Sequence, residues 1–212
     1  MDPEPLSDGL SLSSRPRSRT GQVERITSET SVNVSVDLDG RGEVRCATGV
    51  GFFDHMLDQL GRHSGFDLEV EARGDLHVDS HHTVEDVGLA LGAALSQALG
   101  DKRGLRRYGD THVPMEEALV RVALDLSGRP YLDFHVPVTA TQIGNYDTDL
   151  TAEFFTALTR TGGITMHVRL ISGKNPHHIV EAVFKAVARA LAEATAPDPR
   201  RFGEIPSTKG VL

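Results

Sequence analysis

Two stretches of the chain carry ligand-type side chains in one order: SHHTVED, starting at Ser80, and PHHIVEA, starting at Pro176. On an α-helix, residues four apart project from one face, one turn above each other. His81 with Glu85, and His177 with Glu181, are therefore each placed to clasp a divalent ion between imidazole and carboxylate. His82 and His178 point about 100° away from their neighbours, toward a second ion. This nitrogen and oxygen set suits Mn, Fe, Co, Ni or Zn without choosing among them. A single His-His-x-x-Glu at a helix start is ordinarily solvated. Its recurrence, with the flanking residues changed, favours ligation.

Other histidines weigh less. His55, in FFDHML, starts a helical pattern and is a further candidate ligand. His63, His77, His112 and His135 read as surface or packing residues, and His167, in the apolar strand ITMHVRL, as a hydrogen-bonded core histidine. Cys46 is the only cysteine, so no CxxC motif exists and a reducing, cytosolic setting is expected.

The elements that must position these residues repeat. SVNVSVDLDGRGEVRCATG alternates apolar and polar residues across Asp39-Gly40, a hairpin signal. FFDHMLDQLGRHSG has helical spacing and ends at glycine, FDLEVEA alternates as a strand, and HHTVEDVGLALGAALSQALG is a helix. The later chain repeats the plan: ALVRVALDLSGRPYLDFHV as a hairpin-like pair, LTAEFFTALTRTGG as a helix, ITMHVRL as a strand, NPHHIVEAVFKAVARALAEA as a helix. Asn175 suits a cap and Pro176 the first turn. The reading is an α+β protein of two duplicated halves, about residues 22–105 and 115–200. Each would be a small sheet with two helices on one face, and the halves would bury those helices against each other.

Composition narrows the classes. A net charge of −8 argues against general nucleic-acid binding, and no apolar run approaches a membrane span. Residues 1–21 are rich in Ser, Pro and Arg, lack the apolar core of a secretory signal, and are expected to form a disordered tail. DKRGLRRYGD, from Asp101, is a basic cluster in an acidic chain, either a solvated turn or an anion site.

Five separated blocks occur in order: GFFDHMLDQLGRHSGFDL, DSHHTVEDVGLALG, LDLSGRPYL, GKNPHHIVEAVFKAVARAL and PSTKGVL. Over residues 22–212 the sequence resembles the imidazoleglycerol-phosphate dehydratase family of histidine biosynthesis. The resemblance implies ferredoxin-like or ribosomal S5 domain 2-like halves whose sheets pack on a central helical layer. It also implies a cytoplasmic homo-oligomer of 24 subunits, with two Mn²⁺ ions per active site at subunit interfaces. The implied metal ligands are His55, His81, His82, Glu85, His177, His178 and Glu181. Glu153 stands where the family usually has a histidine, and a carboxylate there can ligate Mn²⁺. Helical geometry then suggests a division: His81 and Glu85 share one ion with His178, and His177 and Glu181 share the other with His82 and His55.

The implied reaction removes water from imidazoleglycerol phosphate to give imidazole-acetol phosphate, through a metal-stabilised imidazolate and a diazafulvene. Glu29 matches the family's acid/base glutamate, with Glu181 as a second participant, and Gln59 matches a substrate contact. Arg107, Arg129, Ser207 and Lys209 match the phosphate clamp; Lys102, Arg103 and Arg106 are left as surface charges. Two other classes use similar residues. A metal-organised assembly protein would not need the phosphate clamp, and a dinuclear hydrolase would be richer in Asp.

Overall fold

The computed structural model describes residues 19–201 and 203–212. The expected tail lies almost wholly outside the described residues, although Thr20 and Gly21 already belong to the first strand. The first half comprises β1 (Thr20–Ile26), β2 (Thr30–Asp37), β3 (Val44–Ala47), α1 (Gly51–Ser64), β4 (Asp67–Gly74) and α2 (His81–Leu99). The second repeats it with β5 (Tyr108–Met115), β6 (Ala118–Asp125), β7 (Tyr131–His135), α3 (Leu150–Gly162), β10 (Thr165–Ser172) and α4 (Pro176–Thr195). A short hairpin, β8 (Gln142–Ile143) with β9 (Tyr146–Asp147), is inserted before α3. The sheets are ordered β1-β2-β4-β3 and β5-β6-β10-β7, so the duplication extends to strand order. Each half runs β-β-β-α-β-α, with three strands before its first helix.

Two sequence readings need correction. Neither expected hairpin forms: β4 lies between β2 and β3, and β10 between β6 and β7. In the first half the cause lies in one carboxylate distant in sequence. The carboxylate of Asp67, the first residue of β4, accepts the N–H groups of Arg41 (2.7 Å) and Glu43 (2.8 Å). It holds the Asp39-Gly40 turn open, and β3 pairs with β4 in parallel. The edge strands β1 and β5 escaped notice because most of their residues remain at least partly exposed; their hydropathic alternation is weak.

The inner strand faces present Val32, Val34 and Val36, with Val120, Val122 and Leu124 in the second half, to a helical layer between the sheets. Across that layer α2 packs on α3, and α4 on α1. Phe53, Met56 and Leu57 of α1 and Phe154, Phe155 and Leu158 of α3 are buried there. Glycines set how near the backbones come. A Cβ on Gly21 would strike the Ala94 carbonyl oxygen, and one on Gly109 the Ala190 carbonyl oxygen, the same contact in both halves. On α2, a Cβ at Gly88 would lie 2.7 Å from the Phe154 carbonyl oxygen of α3. Among the described residues no helix is long and apolar enough to cross a membrane.

Gly109→Ala forces a methyl against a helix carbonyl that no side-chain rotation relieves. We expect a loss of about 1–3 kcal/mol, measured by chemical denaturation, with Gly21→Ala losing a similar amount. Unchanged stability in both would show that strand and helix separate freely.

Candidate active site

The structure converges one set of expected ligands directly. His177, capped into the first turn of α4 by Asn175 Oδ1 (3.0 Å), places Nε2 3.1 Å from Glu181 Oε2. His55 on α1 brings Nε2 to 3.5 Å from the same oxygen. The α1–α4 packing thus joins both halves at one point. Phe52 lies against both imidazoles, with ring centroids 5.1 Å from His177 and 6.4 Å from His55. Phe52 is in turn backed by Tyr146 at 5.4 Å, fully buried on the inserted hairpin. Nothing in the sequence pattern marked that tyrosine.

Glu181 is only 5 % exposed. Burial pushes its carboxyl up, but Lys185 Nζ, 2.6 Å from Oε1, with His55 and His177, holds it below the ordinary range. The group is therefore an anion with one oxygen committed to lysine and one facing two imidazoles. Ligands at 90° around an ion about 2.0–2.2 Å away lie ~3 Å apart, so these three atoms fit a divalent cation. The mixed N/O donor set also suits one.

The remaining ligands fall elsewhere within the chain. His82 Nδ1 sits 3.0 Å from Asp75 Oδ2 and 3.7 Å from Glu29 Oε2. His178 Nδ1 sits 2.8 Å from Glu117 Oε2. His82 therefore does not join His177, nor His178 join His81, inside one chain; the expected division would have to be met between subunits. The reason is the packing: α2 lies on α3 and α4 on α1, so the two His-His pairs begin in different helix pairs. Counted from the capping glycines Gly65 and Gly163, Glu153 of α3 occupies the position of His55 in α1. It lies on the helix that packs against α2, which bears His81 and Glu85. These three do not converge as the His55 group does among the described residues.

Hydrogen bonding from Asp75 raises the pKa of His82, and that from Glu117 raises the pKa of His178. Glu117 is itself held down to about 2 by His178 and the N–H groups of Asn175 and Lys174. Neither Asp75 nor Glu117 was marked by the motif reading. Gln59, one turn beyond His55, accepts through Oε1 from His63 Nε2 at 3.2 Å. His167 is another correction: it pairs with Asp133 at 3.1 Å but is 48 % exposed, on the outer sheet face.

The four expected phosphate residues, Arg107, Arg129, Ser207 and Lys209, line one open cleft between the turn after β6 and the C-terminal segment. Arg107 adopts a positive φ (76°) and forks onto Asp125 at 2.7 and 3.0 Å. It also donates to the Pro206 carbonyl at 2.7 Å. Of its five donors, three are spent on holding the segment in place. Lys102 is not a surface charge; it is 8 % exposed and donates to the Leu126 carbonyl at 3.0 Å, with its pKa lowered by burial.

Fold and site together define a duplicated α+β protein with a His–Glu centre for a divalent cation and a cationic cleft for an anion. The sequence profile described as "Imidazoleglycerol-phosphate dehydratase" matches residues 48–191. Proteins of that name from Cereibacter sphaeroides and Paracoccus denitrificans are 61 % and 62 % identical over 194 residues, 92 % of this chain and all of theirs. The crystal structure of the Staphylococcus aureus protein of that name superposes with a TM-score of 0.77 at 40 % identity, covering 84 % of this chain and 99 % of that one. The Pyrococcus furiosus structure gives 0.78 at 35 %, covering 90 % and 100 %. The chain belongs to the imidazoleglycerol-phosphate dehydratase family.

Arg107→Ala should free the C-terminal segment from Asp125. Limited proteolysis read by mass spectrometry should then cut residues 203–212 earlier than in wild type. An unchanged cleavage pattern would mean that the segment is held by other contacts.

Proposed function

We propose that the chain is a metal-dependent hydro-lyase that removes water from imidazoleglycerol phosphate, yielding imidazole-acetol phosphate in histidine biosynthesis. The observation that carries this reading, beside family membership, is the convergence of His55, His177 and Glu181 on one point. Two divalent ions per site, Mn²⁺ by the family resemblance, would hold the substrate's imidazole ring as an anion and so help the adjacent carbon release hydroxide. His55, His177 and Glu181 would hold one ion; His81, Glu85 and Glu153 would contribute to the other. His82 and His178, turned away from these groups within the chain, would serve ions shared with neighbouring subunits. That requirement supports a homo-oligomer with active sites at subunit interfaces, by resemblance a 24-mer in the cytoplasm.

Glu29 is the proton-transfer group in this reading. Its carboxylate is 51 % exposed and makes no close side-chain bond in the described chain. It takes the carbon-bound proton and gives a proton to the departing hydroxide, so that the two leave together as water. Loss of H and OH from neighbouring carbons gives an enol, which becomes the ketone. Glu181, tied to Lys185, is a weaker base. Gln59 would contact the glycerol chain. Arg129, Ser207 and Lys209, with the two N–H donors Arg107 retains, would take the phosphate.

Chelation followed by Mn²⁺ addition tests the metal and the assembly together. EDTA should abolish turnover and shrink the particle seen by light scattering, and Mn²⁺ should restore both; undiminished turnover without metal would remove the reading. Glu29→Gln should retain metal and substrate while losing about 10²–10⁴-fold in turnover. Near-normal turnover would eliminate Glu29 as the proton-transfer group. Arg129→Ala should weaken substrate binding about 10–150-fold, the worth of a charged hydrogen bond. Equal weakening toward phosphate-free imidazoleglycerol would show that Arg129 does not hold phosphate.

A further inference from the structure

The two His-His pairs are held by carboxylates from different elements. His178 Nδ1 faces Glu117, in the turn between β5 and β6. His82 Nδ1 faces Asp75, the residue directly after β4. The duplication gives each of these carboxylates a counterpart. Glu29 lies in the turn between β1 and β2, at the register position that Glu117 has in its own hairpin. β10 carries a bulge between Leu170 and Ser172, so Gly173, against Ala118 and Ile179, is the counterpart of Gly74, against Thr30 and Thr83, and Lys174 follows it as Asp75 follows Gly74.

The counterparts show why the roles moved. At the position of Asp75 the second half has Lys174, whose ammonium can only donate, and Glu117 holds the histidine instead. In the first half Asp75 does so, 17 % exposed. Glu29 is left 3.7 Å from the ring, beyond hydrogen-bond range.

A histidine that donates Nδ1–H to a carboxylate has its tautomer fixed, and Nε2 carries the lone pair that binds a metal. Glu117 is placed to do this and not to ligate. Its Oε2 takes His178, while Oε1 accepts the backbone N–H groups of Lys174 (3.1 Å) and Asn175 (2.8 Å) at the start of α4. The hydrogen-bond contact of His178 Nε2 among the described residues is with the Asn175 side-chain amide, at 3.5 Å, too long to compete with a metal.

We infer that Asp75 and Glu117 are positioning residues that orient His82 and His178 for metal, and that Asp75, by taking this task in the first half, releases Glu29 for proton transfer. The inference rests on the proposed reading of those histidines as ligands.

The test titrates Mn²⁺ into the full chain after chelation, with free Mn²⁺ read from its electron paramagnetic resonance signal. Asp75→Ala and Glu117→Ala should each weaken Mn²⁺ binding about 10–100-fold, the usual cost of losing an outer-shell partner. Circular dichroism of the metal-free protein should be unchanged. Asp75→Asn and Glu117→Gln keep an oxygen acceptor and should lose less; they also serve if an alanine variant fails to fold. Affinities within about twofold of wild type across all four variants would overturn the inference. The release of Glu29 is read separately, at saturating Mn²⁺. There Asp75→Ala should keep a turnover deficit, because Glu29 swings to the bared His82, and adding Glu29→Gln should lower it little further. Full recovery by Mn²⁺ alone would overturn that half. Metal affinity does not depend on proton transfer, so a failure of Glu29 as acid/base would leave the expected affinities standing.

Discussion

The constraint on which the molecule depends is the backbone contact between edge strand and long helix, made at Gly21 over Ala94 and again at Gly109 over Ala190. Hydrophobic burial is non-directional, and Val, Leu and Ala faces alone would let α2 and α4 slide along their sheets. A glycine whose missing Cβ admits a helix carbonyl fixes the height of each helix. That height places the first turns, and with them His81, His82, His177 and His178. Gly88 and Gly92 do the same between α2 and α3, where a side chain at either position would meet helix backbone. Ligand geometry is thus set by backbone approach many residues away.

The two ligand sets built on this frame carry different charge. One turn beyond Glu181 stands Lys185, whereas one turn beyond Glu85 stands Leu89. Facing Glu181 across the helix pair is His55, whereas the corresponding position on α3 is Glu153. The first set is close to neutral in the absence of metal, with lysine and imidazoles around one buried carboxylate. The second offers two carboxylates, Glu85 and Glu153, with no lysine beside them in the helix. Duplicated folds therefore need not give duplicated electrostatics; two substitutions separate the sets.

Much of the frame was legible in the sequence because its signals are strong. Period-two Val runs gave β2 and β6, helical spacing gave all four helices, and Gly65, Gly163, Asn175 and Pro176 marked helix ends. Strand neighbours were not legible, since nothing local says that β4 enters between β2 and β3; the Asp67 carboxylate decides this from 26 residues beyond Arg41. Lys102 looked like free surface charge because the carbonyl that holds it comes from a distant segment, and the contacts of Arg107 with Asp125 and Pro206 are equally remote in sequence. Tyr146 lies in an insertion with no copy in the first half. Glu117 is different: extending the repeat alignment to the hairpin turns would have paired it with Glu29.

That pairing bears on why, in the proposed reading, proton transfer falls to Glu29 and not to its copy. A carboxylate that accepts several N–H donors is stabilised as the anion and loses basicity. Glu117 accepts two backbone N–H groups and an imidazole, and its pKa falls to about 2. A general base works best with a pKa nearer the operating pH, so Glu117 is tied to orientation by the contacts that make it orient well. Glu29 lacks that set: the turn before α2 reaches His81 through Asp79, whose Oδ1 accepts the His81 N–H at 2.8 Å, and Asp75 meets the ring. Two aspartates in the loop between β4 and α2 thus perform what Glu117 and Asn175 perform in the second half. The acidic residues in that loop are what leave the Glu29 carboxylate, at the β1–β2 turn, at the longer 3.7 Å approach to His82.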